Sequence, residues 1–160
     1  SRWLTNFSIT ILNTLVLRAM AIALPFLAVG AAIDSNAMGW GLFNILDWHI
    51  FLEATICILL FDLIIWLQHV VTHKIPLLWR LHRVHHADVD FDVSTAIRFH
   101  PIEIALSMIL KIGIVYLLGP AAWAVVIFEI LLNGSALFNH ANLAIPSQID
   151  KWLRLSLIHI

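Results

Sequence analysis

Residues 50–67 read IFLEATICILLFDLIIWL, and residues 68–73 continue as QHVVTH. Within the first run only Glu53 and Asp62 carry charge. Its length approaches the roughly 20 residues that a helix needs to cross the hydrocarbon core of a bilayer. An apolar helix that ends on two histidines is therefore the first expectation, and the rest of the chain is read outward from it.

The composition agrees with a bilayer setting. Of 160 residues, 61% are hydrophobic and 12% are charged, with a mean hydropathy of +0.93. A soluble domain is about half apolar and a quarter charged, so neither an ordinary soluble domain nor a disordered tail fits. Nine Lys+Arg against ten Asp+Glu, with no basic run, leave no electrostatic footprint for nucleic acid. The single Cys57 excludes an internal disulfide framework and a multi-cysteine zinc site.

Three further stretches approach spanning length: Leu15 to Ile33, Ile102 to Leu118, and Ala121 to Phe138. With Ile50 to Leu67 they predict an all-α, integral membrane four-helix domain. Trp3, Leu4, Phe7, Ile11 and Leu12 recur at near-helical spacing, which fits either an interfacial helix or the start of the first span. Gly/Pro punctuation falls between spans, at Gly39 to Gly41 and at Gly119-Pro120.

Basic residues set the orientation, because short cytoplasmic loops carry the Lys/Arg excess. Arg2, Lys74, Arg80, Arg83, Arg98, Lys151 and Arg154 fall on one side of a four-span zigzag, while Asp34 to His49 and Gly119-Pro120 carry none. Arg18 is close enough to that side to snorkel. Lys111 lies nine residues before Pro120 and Glu129 nine after it, so a hairpin folded there sets both charges at one depth, about 13 Å from the turn. An unpaired charge near mid-bilayer is costly, and a Lys111 to Glu129 ion pair is predicted.

The histidines were not used to draw this topology, yet seven of the nine converge on the basic face: His69, His73, His82, His85, His86, His100 and His140. His49 lies opposite, and His159 sits in the tail. His69 and His73 are spaced i, i+4, and His82, His85 and His86 are spaced i, i+3, i+4, so each set would lie on one helical stripe and aim imidazoles at a shared point. Pro76 breaks the chain between the two helical pieces. Five to seven imidazoles exceed the needs of one tetrahedral ion and fit two ions with open positions, while ligand type alone leaves Zn, Cu, Fe and Ni open.

Several chemistries are excluded. A zinc protease needs His-Glu-x-x-His, and Val70 stands at the general-base position. A bis-histidine haem site leaves the His85-His86 doublet without a role. Asp88-x-Asp90-x-Asp92 mimics the start of a calcium loop, but Val93 replaces the turn glycine and Phe99 the bidentate glutamate, leaving a solvated acidic loop. Pro101 and Glu103 suit the start of a helix, with His100 beside the metals as a ligand or donor. Asp62 lies on the same helical face as His69 and His73 and is a candidate support from deeper in the membrane.

Four stretches together, QHVVTH (68–73), LLWRLHRVHH (77–86), RFHPIE (98–103) and FNHAN (138–142), resemble the fatty acid hydroxylase/sterol desaturase superfamily, most nearly its bacterial sterol-desaturase-like members. The resemblance implies a four-span helical domain whose histidines hold two iron ions on the cytoplasmic face, with O2 as oxidant and a lipid substrate of sterol or fatty acyl type. Position by position it implies His69 and His73 as the first box, His82, His85 and His86 as the second, and His140 as the later histidine. His100, Asp62, Arg98 and Glu103 are candidates for ligation or support. Removal of one hydrogen and return of hydroxyl would give hydroxylation; removal of two hydrogens would give desaturation. No flavin, haem or iron–sulfur motif is present, so electrons are expected from a separate donor protein, for which Lys74, Arg80 and Arg83 offer a docking face.

The family closes its metal site with a second His-x-x-His-His box, which residues 1–160 do not contain. The expectation is a fragment of one membrane-embedded domain, inactive by itself, whose intact parent is a membrane di-iron oxidoreductase. The competing expectation is a non-catalytic membrane metal-binding or transport protein. A transporter, however, places its ligands near the midplane, and these gather at one end.

Overall fold

The computed structural model describes residues 2–23, 27–46, 48–90 and 92–153. It is built of α-helices, with no strand among the described residues. They are α1 (Arg2–Ala23), α2 (Ala28–Met38), α3 (Leu42–Ile45), α4 (Ile50–Lys74), α5 (Pro76–His82), α6 (Pro101–Leu118), α7 (Ala122–Asn139) and α8 (Ser147–Leu153). Two 3-10 turns, His85–Ala87 and Val93–Ile97, lie between α5 and α6.

Three helices among the described residues, α4, α6 and α7, are long and apolar enough to cross a membrane. The first predicted span is Leu15 to Ile33. It falls across the end of α1 and the start of α2, and its centre, residues 24–26, lies outside the described residues, as do Arg154 and His159. The early apolar residues are not a separate helix: α1 runs from Arg2 through Ala23. Its two asparagines face the protein while several of its large apolar residues face outward, an arrangement suited to a lipid surround. Asn6 and Asn13 are buried, whereas Trp3, Leu4, Ile11 and Leu15 are exposed.

Local chemistry explains the other boundaries. Pro76 and Pro101 stand at the first position of α5 and α6, where a missing N–H costs nothing. Gly119 ends α6 in the left-handed region at φ 64°, which an L side chain rarely adopts. Gly119 also packs against Gly41, and a Cβ on either would meet the other's backbone or that of its neighbours.

The packed core lies at the end away from the histidine-bearing segments. Ala28, Ala31 and Ala32 on α2, Ala54 and Cys57 on α4, and Ala124 on α7 let the helices approach closely, and Phe61 meets Phe128 across α4 and α7 at 5.0 Å between rings. Polar caps close this end: Tyr116 donates to Asp34 at 2.7 Å, and Asn36 to the Pro120 carbonyl at 2.8 Å. Midway along the hairpin, Lys111 Nζ donates to Glu129 Oε1 at 2.6 Å, the ion pair that equal spacing from Pro120 predicts.

At the other end, α1 is bolted to the segment between α5 and α6. Arg2 pairs with Asp92 at 2.6 Å, and Arg98 with Asp88 at 3.1 Å. Asn6 donates to both Asp88 and Ser94, and Asn13 to the Phe99 carbonyl. The acidic run is thus not simply a solvated loop: Asp90 is exposed, but the Asp88 side chain is 7% exposed. Two guanidinium groups and an amide compensate its burial, and hydrogen bonds from Asn6 and the Asp90 backbone, with Arg2 and Arg98 nearby, hold its carboxyl below the usual range.

Candidate metal centre

Each histidine is placed by the element that carries it. His69 and His73 lie one turn apart on the last turns of α4, and their Nε2 atoms stand 3.0 Å apart. The second group departs from the single helical stripe expected of its spacing. His82 is the last residue of α5, the chain loosens at Arg83 and Val84, and His85 and His86 sit on a 3-10 turn. His86 still returns to His82, with Nε2 to Nε2 at 3.1 Å, while His85 turns toward His140, with their rings 5.0 Å apart.

The result is a tetrad and a neighbouring pair. Ligand atoms of His69, His73, His82 and His86 all lie within 4.8 Å of one another. His85 links the two groups, with its ring 5.0 Å from His86 and 5.5 Å from His82. It is stacked on Phe99 at 4.4 Å and 6°. Trp79 covers the tetrad from outside, with its ring 5.1 Å from His73 and 5.8 Å from His86.

The outer contacts decide which nitrogen of each ring is free. Nδ1 of the buried His82 faces Glu103 Oε1 at 2.5 Å; a carboxylate accepts, so Nδ1 donates and Nε2 is the nitrogen turned to the cluster. His85 Nδ1 faces the Arg98 carbonyl at 3.3 Å, with the same consequence. His140 is oriented through a hydroxyl instead. The Thr95 hydroxyl spends its only proton on the Asp92 carbonyl at 2.6 Å, so at 2.6 Å from His140 it must accept from Nδ1–H. Three imidazoles are held from behind with Nε2 left to bind, the way metal-ligating histidines are oriented.

The donor set fits a transition metal. With metal–nitrogen bonds of about 2.1 Å, imidazoles on one ion stand about 3.0 to 3.4 Å apart, near the spacing of the two Nε2 pairs. Metal binding needs neutral rings, and burial supplies them. Burial, then His140, His86 and His82 nearby, push His85 down to about 3. Burial followed by His82, His73 and His140 lowers His86, and burial lowers His140.

The remaining candidates separate. Glu103 is buried against His82. Arg98 faces the site with its backbone carbonyl, while its guanidinium turns away to Asp88 and Asn6. His100 caps α6, accepting from the Ile102 amide at 3.2 Å, and is not among the ring contacts of the cluster. Asp62 is buried on α4, about 10 Å along the helix from His69. Thr95 and Asn6 escaped the sequence reading because nothing local marks a threonine that serves a histidine 45 positions away, or an amide that serves a loop 82 positions away.

A cavity of about 240 Å³ opens beside the cluster between α4, α6 and α7. It is lined at one end by His69, His85, His140 and Glu103, then by Gln68, Ser107 and Leu132, and at the other end by Lys111, Glu129 and Asn133. Three imidazoles, those of His69, His85 and His140, thus stand at the head of a cavity between helices long and apolar enough to span a membrane.

No curated protein and no solved structure matches the chain. A sequence model of the family described as Fatty acid hydroxylase matches residues 54–160, from α4 onward through every histidine of the cluster. With that match over more than half its length, and with helices fit to span a bilayer, the chain belongs to the fatty acid hydroxylase family.

Proposed function

We propose that the protein is a membrane oxidoreductase that uses O2 to hydroxylate or desaturate a lipid at a centre of two histidine-bound irons. The observation that carries this reading is the convergence of His69, His73, His82 and His86, next to a cavity between membrane helices that His69, His85 and His140 line. Two irons, when bound, would supply O2 activation. His69, His73, His82 and His86 would hold one, and His85 and His140 would begin the second set.

The protein's own residues do the rest. Glu103, the Arg98 carbonyl and Thr95 keep the Nδ1 protons of His82, His85 and His140 in place, so each ring presents a lone pair without rearrangement. Phe99 stacks on His85, and Trp79 flanks His73. The cavity presents a C–H bond of the substrate to the cluster. In hydroxylation one oxygen atom of O2 enters that bond and the other leaves as water, which takes two electrons and two protons from a separate reduced electron-carrier protein. Desaturation uses the same two electrons and releases two waters.

Basic residues Lys74, Arg80 and Arg83 are exposed at the histidine end, and the α6–α7 turn carries none. This supports a cytoplasmic histidine face, with those residues as the docking face for the electron carrier. Full-length protein in membranes, given reductant, lipid extract and ¹⁸O2, is expected to form a hydroxylated or desaturated lipid. His82→Ala is expected to abolish that product while the protein still inserts into membranes. Full activity in His82→Ala would refute the assignment.

A further inference from the structure

The far end of the cavity is polar where hydrocarbon alone would not require it. On α6, Glu103, Ser107 and Lys111 recur every four residues along the cavity wall, so about 12 Å separates the imidazole level from the ammonium level. There Lys111 donates to Glu129 Oε1 at 2.6 Å, and Asn133 donates to the Glu129 carbonyl at 2.7 Å. Lys111 is 7% exposed and its ammonium has three donors, of which this pair uses one. A packed pair of apolar side chains would join α6 to α7 without the desolvation cost of two charges. A methyl-ended chain would leave the spare donors and the Glu129 carboxylate facing hydrocarbon.

We propose that Lys111, Glu129 and Asn133 form the binding site for a neutral hydroxyl group of the substrate. A hydroxyl accepts from Lys111 and donates to Glu129, whereas a carboxylate would face the charge of Glu129 and an alkyl end would satisfy neither. The substrate class is then a lipid with a hydroxyl about 12 Å from the carbon presented to the histidines, the distance set by eight residues of helix. The cavity is smaller than the range of about 300 to 1,000 Å³ that encloses a whole drug-sized ligand, so it takes one hydroxyl-ended arm of the molecule. This assignment rests on the oxygenase reading for its chemistry, but the hydroxyl site itself needs no metal.

The test compares 1-decanol with n-decane as ligands of full-length, metal-free protein in detergent micelles, read by the shift in thermal unfolding across a concentration series. The alcohol is expected to bind about tenfold more tightly than the alkane, the value of one or two hydrogen bonds away from water. Lys111→Met with Glu129→Met, which keeps apolar bulk, is expected to erase the difference. If that variant does not fold, Asn133→Leu with Glu129→Gln is expected to reduce it at least threefold. Equal binding of alcohol and alkane by the native protein, or a difference that survives in the folded variants, overturns the proposal. Iron content and ¹⁸O incorporation, measured on the same preparation before metal removal, separate the two readings. Alcohol preference without iron or turnover upholds the hydroxyl site and sinks the oxygenase. Turnover without alcohol preference does the reverse.

Discussion

At one end of the bundle, Ala31, Ala54, Cys57 and Ala124 bring α2, α4 and α7 into close contact and Phe61 meets Phe128; at the other, six imidazoles crowd together, backed by a carboxylate, a carbonyl and a threonine. The first end is complete in itself, because its groups ask for nothing beyond shape. The second sets Nε2 atoms against one another at 3.0 and 3.1 Å, a crowding that one proton shared across each pair satisfies and that a bound cation would also satisfy. The first end holds the packed core and the second the candidate metal centre, and mutations should divide along the same line.

The largest expected effect is at the histidine end. His82→Ala or His86→Ala removes a quarter of the tetrad and should abolish metal binding and product formation. Circular dichroism of the metal-free variant should match the native protein, and a collapse of helicity would show that the cluster carries the fold. The mirror experiment is Phe61→Ala, expected to cost about 3 kcal/mol through the cavity it leaves between α4 and α7. Denaturation in mixed micelles should show that loss in metal-free and metal-loaded protein alike, with metal content per folded chain unchanged.

A smaller effect sharpens the boundary between ligand and support. Glu103→Gln can keep a hydrogen bond to His82 but gives up the carboxylate, and Thr95→Val removes the acceptor that sets the His140 tautomer. Each should weaken metal affinity about 10- to 100-fold without abolishing it. Competition with a chelator would read this, and native affinity in both variants would strip those residues of a positioning role.

Per pH unit, the smallest effect is a pH dependence confined to the histidine end. His85, ordinarily near 6.5, is pushed down to about 3. Between those values the unfolded metal-free chain binds a proton that the folded one refuses, so stability is full above about pH 6.5 and falls as pH drops through the window. The slope for this one ring is at most about 1.4 kcal/mol per pH unit, with His86 and His140 adding in the same direction. His85→Asn should flatten the profile between pH 6 and 4, and an unchanged slope would contradict the assigned burial.

The sequence disclosed what short-range rules control. The break at Pro76, the starts at Pro101, the turn at Gly119 and the gathering of histidines at one end follow from dihedral limits and from the length a helix needs to span a bilayer. The Lys111–Glu129 pair was legible because a hairpin converts equal spacing from its turn into equal depth. What depends on distant parts of the chain was less legible. Tertiary contacts defeated helical spacing at His82, His85 and His86. The 3-10 turn lets His85 stack on Phe99 and approach His140, a partner whose position no local pattern encodes. The same holds for Asn6 and Thr95, whose roles exist only once α1 and α7 have docked on the segment between α5 and α6.

Metal analysis of the full-length protein purified from membranes without chelator tests the central claim most directly. The account predicts about two irons per chain, since the imidazoles exceed what one tetrahedral ion takes, and their loss in His82→Ala with helicity intact. One zinc and no iron, or iron that persists when His82 is gone, would contradict it.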